Sequence, residues 1–166
     1  MATFDTTREG QPQLTHHDPF NTDRAGRNYG LVLAALTAVY LSLMNLIFPE
    51  VPIGIRFAKY LIIVAVVWVA VKSYADASSE EDIWKGEFTF ILKIAMWAIG
   101  GLATLNVILS SINPQLGFEQ FMNDGETFGD MMVNSFFVAM ETFVMVVMAG
   151  FIFMQYYKRG SDPEDA

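Results

Sequence analysis

The sequence predicts an all-α fold: a four-helix transmembrane bundle with both termini cytoplasmic and a disordered polar N-terminal tail. Three observations predict it. Of 166 residues, 53% are hydrophobic and 17% charged, with 14 Phe and 10 Met, and the mean hydropathy is +0.35; that balance suits a small membrane protein better than a water-soluble domain. Four apolar stretches follow one another, set apart by polar turns. When these stretches are threaded alternately through a bilayer, Lys and Arg gather on one side.

Residues 1–27 are polar, with Gly10, Pro12, Pro19 and Gly26 scattered among Thr, Asp and Arg, and they show no apolar period from which to build a core. They read as a mobile cytoplasmic tail. The opening MATFDTTREGQPQ lacks the basic start and immediate apolar run of a secretory signal, so the first helix itself must direct insertion. The transmembrane domain, 28–158, holds spans at about 29–48, 53–72, 88–112 and 131–157. The first stops at Pro49 and has the ~20 residues a bilayer core requires. The uncharged part of the second, 60–71, is too short for that, so a spanning helix must reach back towards Pro52 and take in Arg56 and Lys59. A re-entrant segment is the alternative.

The connection DASSEEDIWKGE pairs Ser78 with Glu81 at capping-box spacing, so a helix is expected to begin there, run into the third span and set Trp84 at the headgroups. The third span closes on Asn113-Pro114. In the connection that follows, NPQLGFEQFMNDGETFGD, Phe118, Phe121 and Met122 share one helical face, the pattern of a short helix lying on the membrane. Its acids lack the alternating oxygen ligands and closing Glu of a calcium loop. The fourth span ends in Tyr156-Tyr157 and Lys158-Arg159, an interfacial anchor, and 159–166 form an acidic tail.

With this threading one side receives Arg8, Arg24, Arg27, Lys72, Lys85, Lys158 and Arg159. The other has Arg56 and Lys59 beside Glu119, Asp124, Glu126 and Asp130. The positive side is expected to be cytoplasmic. Net charge is -8, carried mostly by tails and loops without a basic stripe, so nucleic acid is not an expected partner. The chain has no cysteine, which excludes disulfides, thiolate metal sites and a cysteine nucleophile. No phosphate loop, nucleophile elbow or HExxH is present, and neither an enzyme nor a cofactor is expected. His16 and His17 have no preorganised third ligand, and the methionines of the fourth span read as flexible packing rather than as copper(I) ligands. The two halves of the chain do not repeat.

An acid in the middle of an apolar stretch requires a reason. Counted from the cytoplasmic ends of their helices at ~1.5 Å per residue, Asn45, Arg56, Thr104 and Glu141 all lie about 24 Å deep and Lys59 about 20 Å. They form one expected intramembrane polar layer. On the fourth helix Asn134, Glu141, Met148 and Gln155 recur every seven positions, a stripe expected to face the bundle. On the first, Gly30, Ala34, Ala38 and Ser42 form a small-xxx-small seam that Asn45 continues. On the third, Lys93, Gly100, Thr104 and Ser111 share a face that reads as a second seam, with Lys93 close enough to the surface to snorkel. Burying ionisable groups costs on the order of 2.5–3.5 kcal/mol each at a helix centre. Glu141 with Lys59 or Arg56 is therefore either a structural ion pair or an ion, proton or solute site. The structural reading is favoured, because Met145 and Met148, not acceptors, follow Glu141 towards the cytoplasm.

The stretch KGEFTFILKIAMWAIGGLATLNVILSSINPQLGFEQF carries a Gly-acid-aromatic start, an apolar span and an Asn-Pro close leading into an acidic-aromatic segment. It resembles a pattern in a family of small four-span inner-membrane proteins of the Bacteroidota, known only as a domain of unknown function. The resemblance covers about residues 30–158 and implies four spans and an inner-membrane location, with no activity or catalytic residue to carry over. The outer loop NDGETFGD is more acidic than that pattern. Lipid and other membrane subunits, or further copies of the chain, are the expected partners, and the expected role is that of an interaction or accessory subunit, with a small transporter or channel subunit as the alternative.

Overall fold

The computed structural model describes residues 21–48, 53–77, 83–113, 116–118 and 128–159. They form four α-helices: α1 (Thr22–Ile47), α2 (Ile53–Ala77), α3 (Ile83–Ile112) and α4 (Phe128–Arg159). Each is long and apolar enough to cross a membrane, and the described residues contain no strand. Outside them lie residues 1–20 with His16 and His17, the Ser78 to Glu81 cap, the loop with Phe121, Met122 and most of its acids, and 160–166. The side chains of Trp84, Lys158 and Arg159 lie outside them as well.

Helix α1 starts at Thr22, inside the stretch read from sequence as tail. An apolar run marks only the lipid-crossing part of a helix, whereas the start is set by its cap. Asn21 accepts a hydrogen bond from the Arg24 N–H at 2.9 Å, and Asp23 lies in the first turn, where a negative charge suits the helix dipole. Helix α2 runs unbroken for 25 residues through Arg56 and Lys59, so the re-entrant alternative has no break at which to turn.

Contacts along the helices set their directions. Gly26 lies against Lys93, Gly30 against Ile94, Trp97 and Ala98, and Ala34 against Gly101, so α1 and α3 run parallel. Ile91 meets Gly150 and Asn106 meets Ser135, so α3 and α4 are antiparallel. Tyr29 reaches Ser73 and Tyr40 reaches Ile55, so α1 and α2 are antiparallel. Around the bundle the order is α1, α3, α4, α2; α3 also touches α2 across the diagonal, while α1 and α4 do not meet among the described residues. The start of α1 and the end of α4 share one end, here called proximal; the opposite end is distal. Leu33, Ile63, Val67, Val71, Phe90, Ile94 and Val146 belong to the larger core, and a smaller distal core gathers Ala38, Leu41, Leu102 and Val138 around Phe118.

The α1 seam packs as its small residues suggest, and it starts one turn earlier than expected. Gly26, Gly30, Ala34 and Ala38 are all buried, and a Cβ on Gly30 would come within 2.6 Å of Trp97 Cβ and 2.7 Å of the Ile94 carbonyl oxygen. Lipid provides no hydrophobic drive for helices to associate, so close backbone approach is what holds such a pair. The partner glycine on α3 corrects the sequence reading. A Cβ on Gly101 would meet Ala34 Cβ at 2.7 Å, whereas Gly100 is exposed with nothing within 4 Å. Thr104 and Ser111 are exposed on α3 too, so this face does not form a seam within the bundle. One residue along a helix is a turn of about 100°, enough to exchange inside for outside.

Gly30→Ala should therefore destabilise the chain by an overpacking cost of about 1–3 kcal/mol. Gly100→Ala, which removes a helix-interior glycine without meeting anything, should hold or gain up to about 1 kcal/mol. Thermal unfolding of the two variants in one detergent checks the contrast; equal melting temperatures would place the close approach elsewhere.

Candidate functional site

Lys59 and Tyr60 are neighbours on α2, and both reach the carboxylate of Glu141 on α4. The Lys59 ammonium donates to Oε2 at 2.9 Å, and the Tyr60 hydroxyl donates to Oε1. The Lys59 side chain is 5% exposed and that of Glu141 28%. The ammonium also lies 5.4 Å from the centroid of the Tyr60 ring, and that ring is tilted against Phe57 at 5.6 Å. Each carboxylate oxygen has its own donor, so charge and hydrogen-bonding capacity are answered together. Counted along α4, Glu141 lies ~20 Å from Phe128 and ~27 Å from Arg159, well inside the helix.

The expected polar layer does not form as one unit. Arg56 is exposed on α2. Thr104 is exposed, and its hydroxyl donates to the Gly100 carbonyl of its own helix at 2.8 Å, a bond that satisfies a helical Thr without any partner. Asn45 belongs to a separate distal cluster, its amide donating to the Gly117 carbonyl at 2.5 Å. Equal depth along helices does not imply a common direction around them. The heptad stripe on α4 also splits: Asn134 is buried and Glu141 half-buried, but Met148 and Gln155 are exposed, because a straight helix drifts ~20° per heptad.

The distal cluster is built around chain segment 116–118. Ser42 donates to the Leu116 carbonyl at 2.8 Å and Asn45 to that of Gly117, while the Phe118 N–H donates to Asn106 Oδ1 at 2.7 Å. The Asn106 amide donates in turn to Ser135 Oγ on α4 at 2.6 Å, and Ser110 Oγ donates to Asn106 Oδ1 at 3.4 Å. Irregular backbone is tolerable at membrane depth when protein groups satisfy it in this way. Ser42, expected to continue the seam against another helix, instead holds this segment. Phe118 is 3% exposed and closes the distal core.

Sequence reasoning missed Tyr60, Asn106, Ser135 and Glu87. Tyr60 had a signal in its adjacency to Lys59, and Asn106 in being an amide within an apolar span. Glu87, near the proximal end of α3, is 1% exposed, and its Oε1 has no hydrogen-bond partner. Close to it, Tyr74 stacks on Phe90 at 5.2 Å with its hydroxyl over Gly86, which has no side chain to obstruct it. Among the described residues no three His, Asp or Glu side chains come together as a metal site. No family model, curated protein or solved structure matches the chain.

Removing one member of a buried ion pair strands the other, at a cost of about 3–5 kcal/mol. Glu141→Gln should thus lower the unfolding temperature in detergent sharply, and Glu141→Gln combined with Lys59→Met should recover most of the loss, since Tyr60 can still donate to the amide oxygen. A double variant as unstable as the single one would mean that the pair does not act as a unit.

Proposed function

We propose that the chain is a multi-pass protein of the bacterial inner membrane, with both termini cytoplasmic, serving as an interaction or accessory subunit of a larger membrane assembly. The observation that carries this reading is the outward strip on α3. Gly100, Thr104 and Ser111 are exposed among apolar side chains that face lipid, and nothing lies within 4 Å of where a Gly100 side chain would start. The hydroxyls of Thr104 and Ser111 bond their own helix at 2.8 and 2.6 Å. The strip is therefore stable in lipid while leaving a shallow surface that another helix can approach closely. The interior also favours a scaffold. Both Glu141 oxygens are occupied, and proximal to that level Val67, Ile94, Ala98 and Val146 pack together before the buried Tyr74 and Glu87 are reached near the proximal end.

Orientation rests on charge. Arg24, Arg27 and Lys72 lie towards the proximal end and Arg56 and Lys59 towards the distal end, so the more basic proximal end is read as cytoplasmic. The acid, ammonium and phenol in contact at Glu141 favour a second reading, a small transporter or channel subunit that moves a proton or an ion. Flux through liposomes containing only this chain, abolished by Glu141→Gln without loss of fold, would support that reading against the first.

The chain contains no cysteine, so single cysteines report cleanly. Thr104→Cys in native membranes should cross-link to a second polypeptide, while Val39→Cys, exposed on α1, should not. Gly100→Leu should leave the isolated chain folded yet reduce co-purification of that partner by about tenfold, the consequence of losing ~1.4 kcal/mol of contact. Cross-linking at both positions alike would remove α3 as the docking face. For orientation, a reporter active only outside the cytoplasm should work when inserted at Asn123 and fail at either terminus.

A further inference from the structure

A cleft of about 440 Å³ opens between the first turns of α1 and the proximal half of α3, lined by Asn21, Asp23, Arg24, Arg27, Lys93 and Trp97. Its charge is unbalanced: three cations face one carboxylate. That carboxylate is already engaged, since Lys93 Nζ lies 2.5 Å from Asp23 Oδ1 and 3.5 Å from the Thr22 hydroxyl. Neither Arg24 nor Arg27 pairs with an acid among the described residues, and both guanidinium-bearing residues are exposed. Their spacing of three places them on neighbouring turns of one side of α1. The N-terminal N–H groups of α1 add positive potential at the same place.

The surroundings identify the ligand class. Lys93 extends out of an apolar span towards the first turn of α1, as a snorkelling lysine does at the boundary of a bilayer. Trp97, one turn further into the span and 46% exposed, offers an apolar aromatic surface beneath that rim. Beside it and deeper, the surface continues as exposed Met96 and Leu31. The cleft thus presents a cationic rim, an aromatic floor and an apolar wall beneath.

We propose that this cleft binds the phosphate headgroup of an anionic phospholipid, with Arg24 and Arg27 as its donors, Lys93 as an added charge and the acyl chains lying over Trp97, Leu31 and Met96. Guanidinium forks match phosphate oxygens. A soluble phosphate ester would meet the rim alone, whereas a lipid satisfies rim, floor and wall. The site rests on the insertion of the helices in a membrane and is independent of the accessory role and of the Glu141 pair.

The test uses the full chain with Trp68→Phe and Trp84→Phe, so that Trp97 is the only indole, in vesicles of phosphatidylcholine containing a minor fraction of acyl-brominated phosphatidylglycerol or, in parallel, of acyl-brominated phosphatidylcholine. Trp97 should be quenched at about tenfold lower mole fraction by the anionic lipid, and Arg24→Gln with Arg27→Gln should erase that preference. Lys72→Gln, on α2, should leave it intact. Equal quenching by the two lipids would overturn the site while leaving insertion standing. Absence of quenching by either, in vesicles that the chain fails to float with, would overturn insertion and the site with it. Full displacement by soluble glycerol phosphate would show that the cleft reads phosphate alone and would overturn the assignment to lipid. Quenching in the otherwise unmodified cleft decides the matter even if the double Arg variant is unstable.

Discussion

In a bilayer, apolar side chains gain little by exchanging lipid for one another, so two helices stay together only where their surfaces approach closely or their polar groups pair. The α1–α3 contact is the close approach in this bundle. Gly26 and Gly30 bring the α1 backbone against Lys93, Ile94, Trp97 and Ala98, and Gly101 admits Ala34. Much else depends on that distance. It brings Lys93 within reach of Asp23, places Leu33 in the larger core, and carries the far end of α1 to where Ser42 and Asn45 can hold segment 116–118.

The other helix pairs use polar chemistry to different degrees. Helices α2 and α4 meet through Lys59, Tyr60 and Glu141, where charge makes the contact specific and costly to break on one side only. Helices α3 and α4 meet distally through Asn106 and Ser135, a neutral contact that also serves the Phe118 N–H. Proximally, aromatic contacts dominate, with Phe88 against Phe151 at 5.5 Å and Tyr29 edge-on to Phe90 at 6.3 Å. The polar links to α4 therefore lie towards the distal half, where irregular backbone enters the bundle and has to be satisfied, while the proximal ones, Tyr29 to Ser73 and Lys93 to Asp23, tie α1 to α2 and α3.

Much of this was legible in the sequence for a physical reason: the cost of a buried charge and the scarcity of small residues leave few explanations for Glu141 or for Gly30, Ala34 and Ala38. Depth was legible too, because rise per residue is constant. Direction around a helix was not. Choosing Gly100 over Gly101, or placing Thr104 and Asn45 in one layer with Glu141, requires knowing which way each helix is turned, and α3 is so uniformly apolar that its inward face cannot be told from its outward one. The return of 116–118 into the bundle was hidden because its partners Ser42 and Asn45 lie 74 and 72 residues away along the chain. Tyr60 was overlooked since a tyrosine in an apolar helix looks like packing until its hydroxyl finds an acid.

The parallel pairing of α1 with α3 has a consequence for how the protein is made. Trp97 lies roughly 67 residues after Gly30, which at synthesis rates of about 5–20 residues per second is a delay of several seconds. During that interval α1 has entered the membrane with its glycine face open to lipid, and α2, which arrives next, is a different neighbour. The nascent chain must keep α1 near the point of insertion until α3 emerges, and any other small-faced helix passing in that window competes for the same groove. Biogenesis of this bundle is thus a race between a distant segment of its own chain and the neighbours it meets in the bilayer.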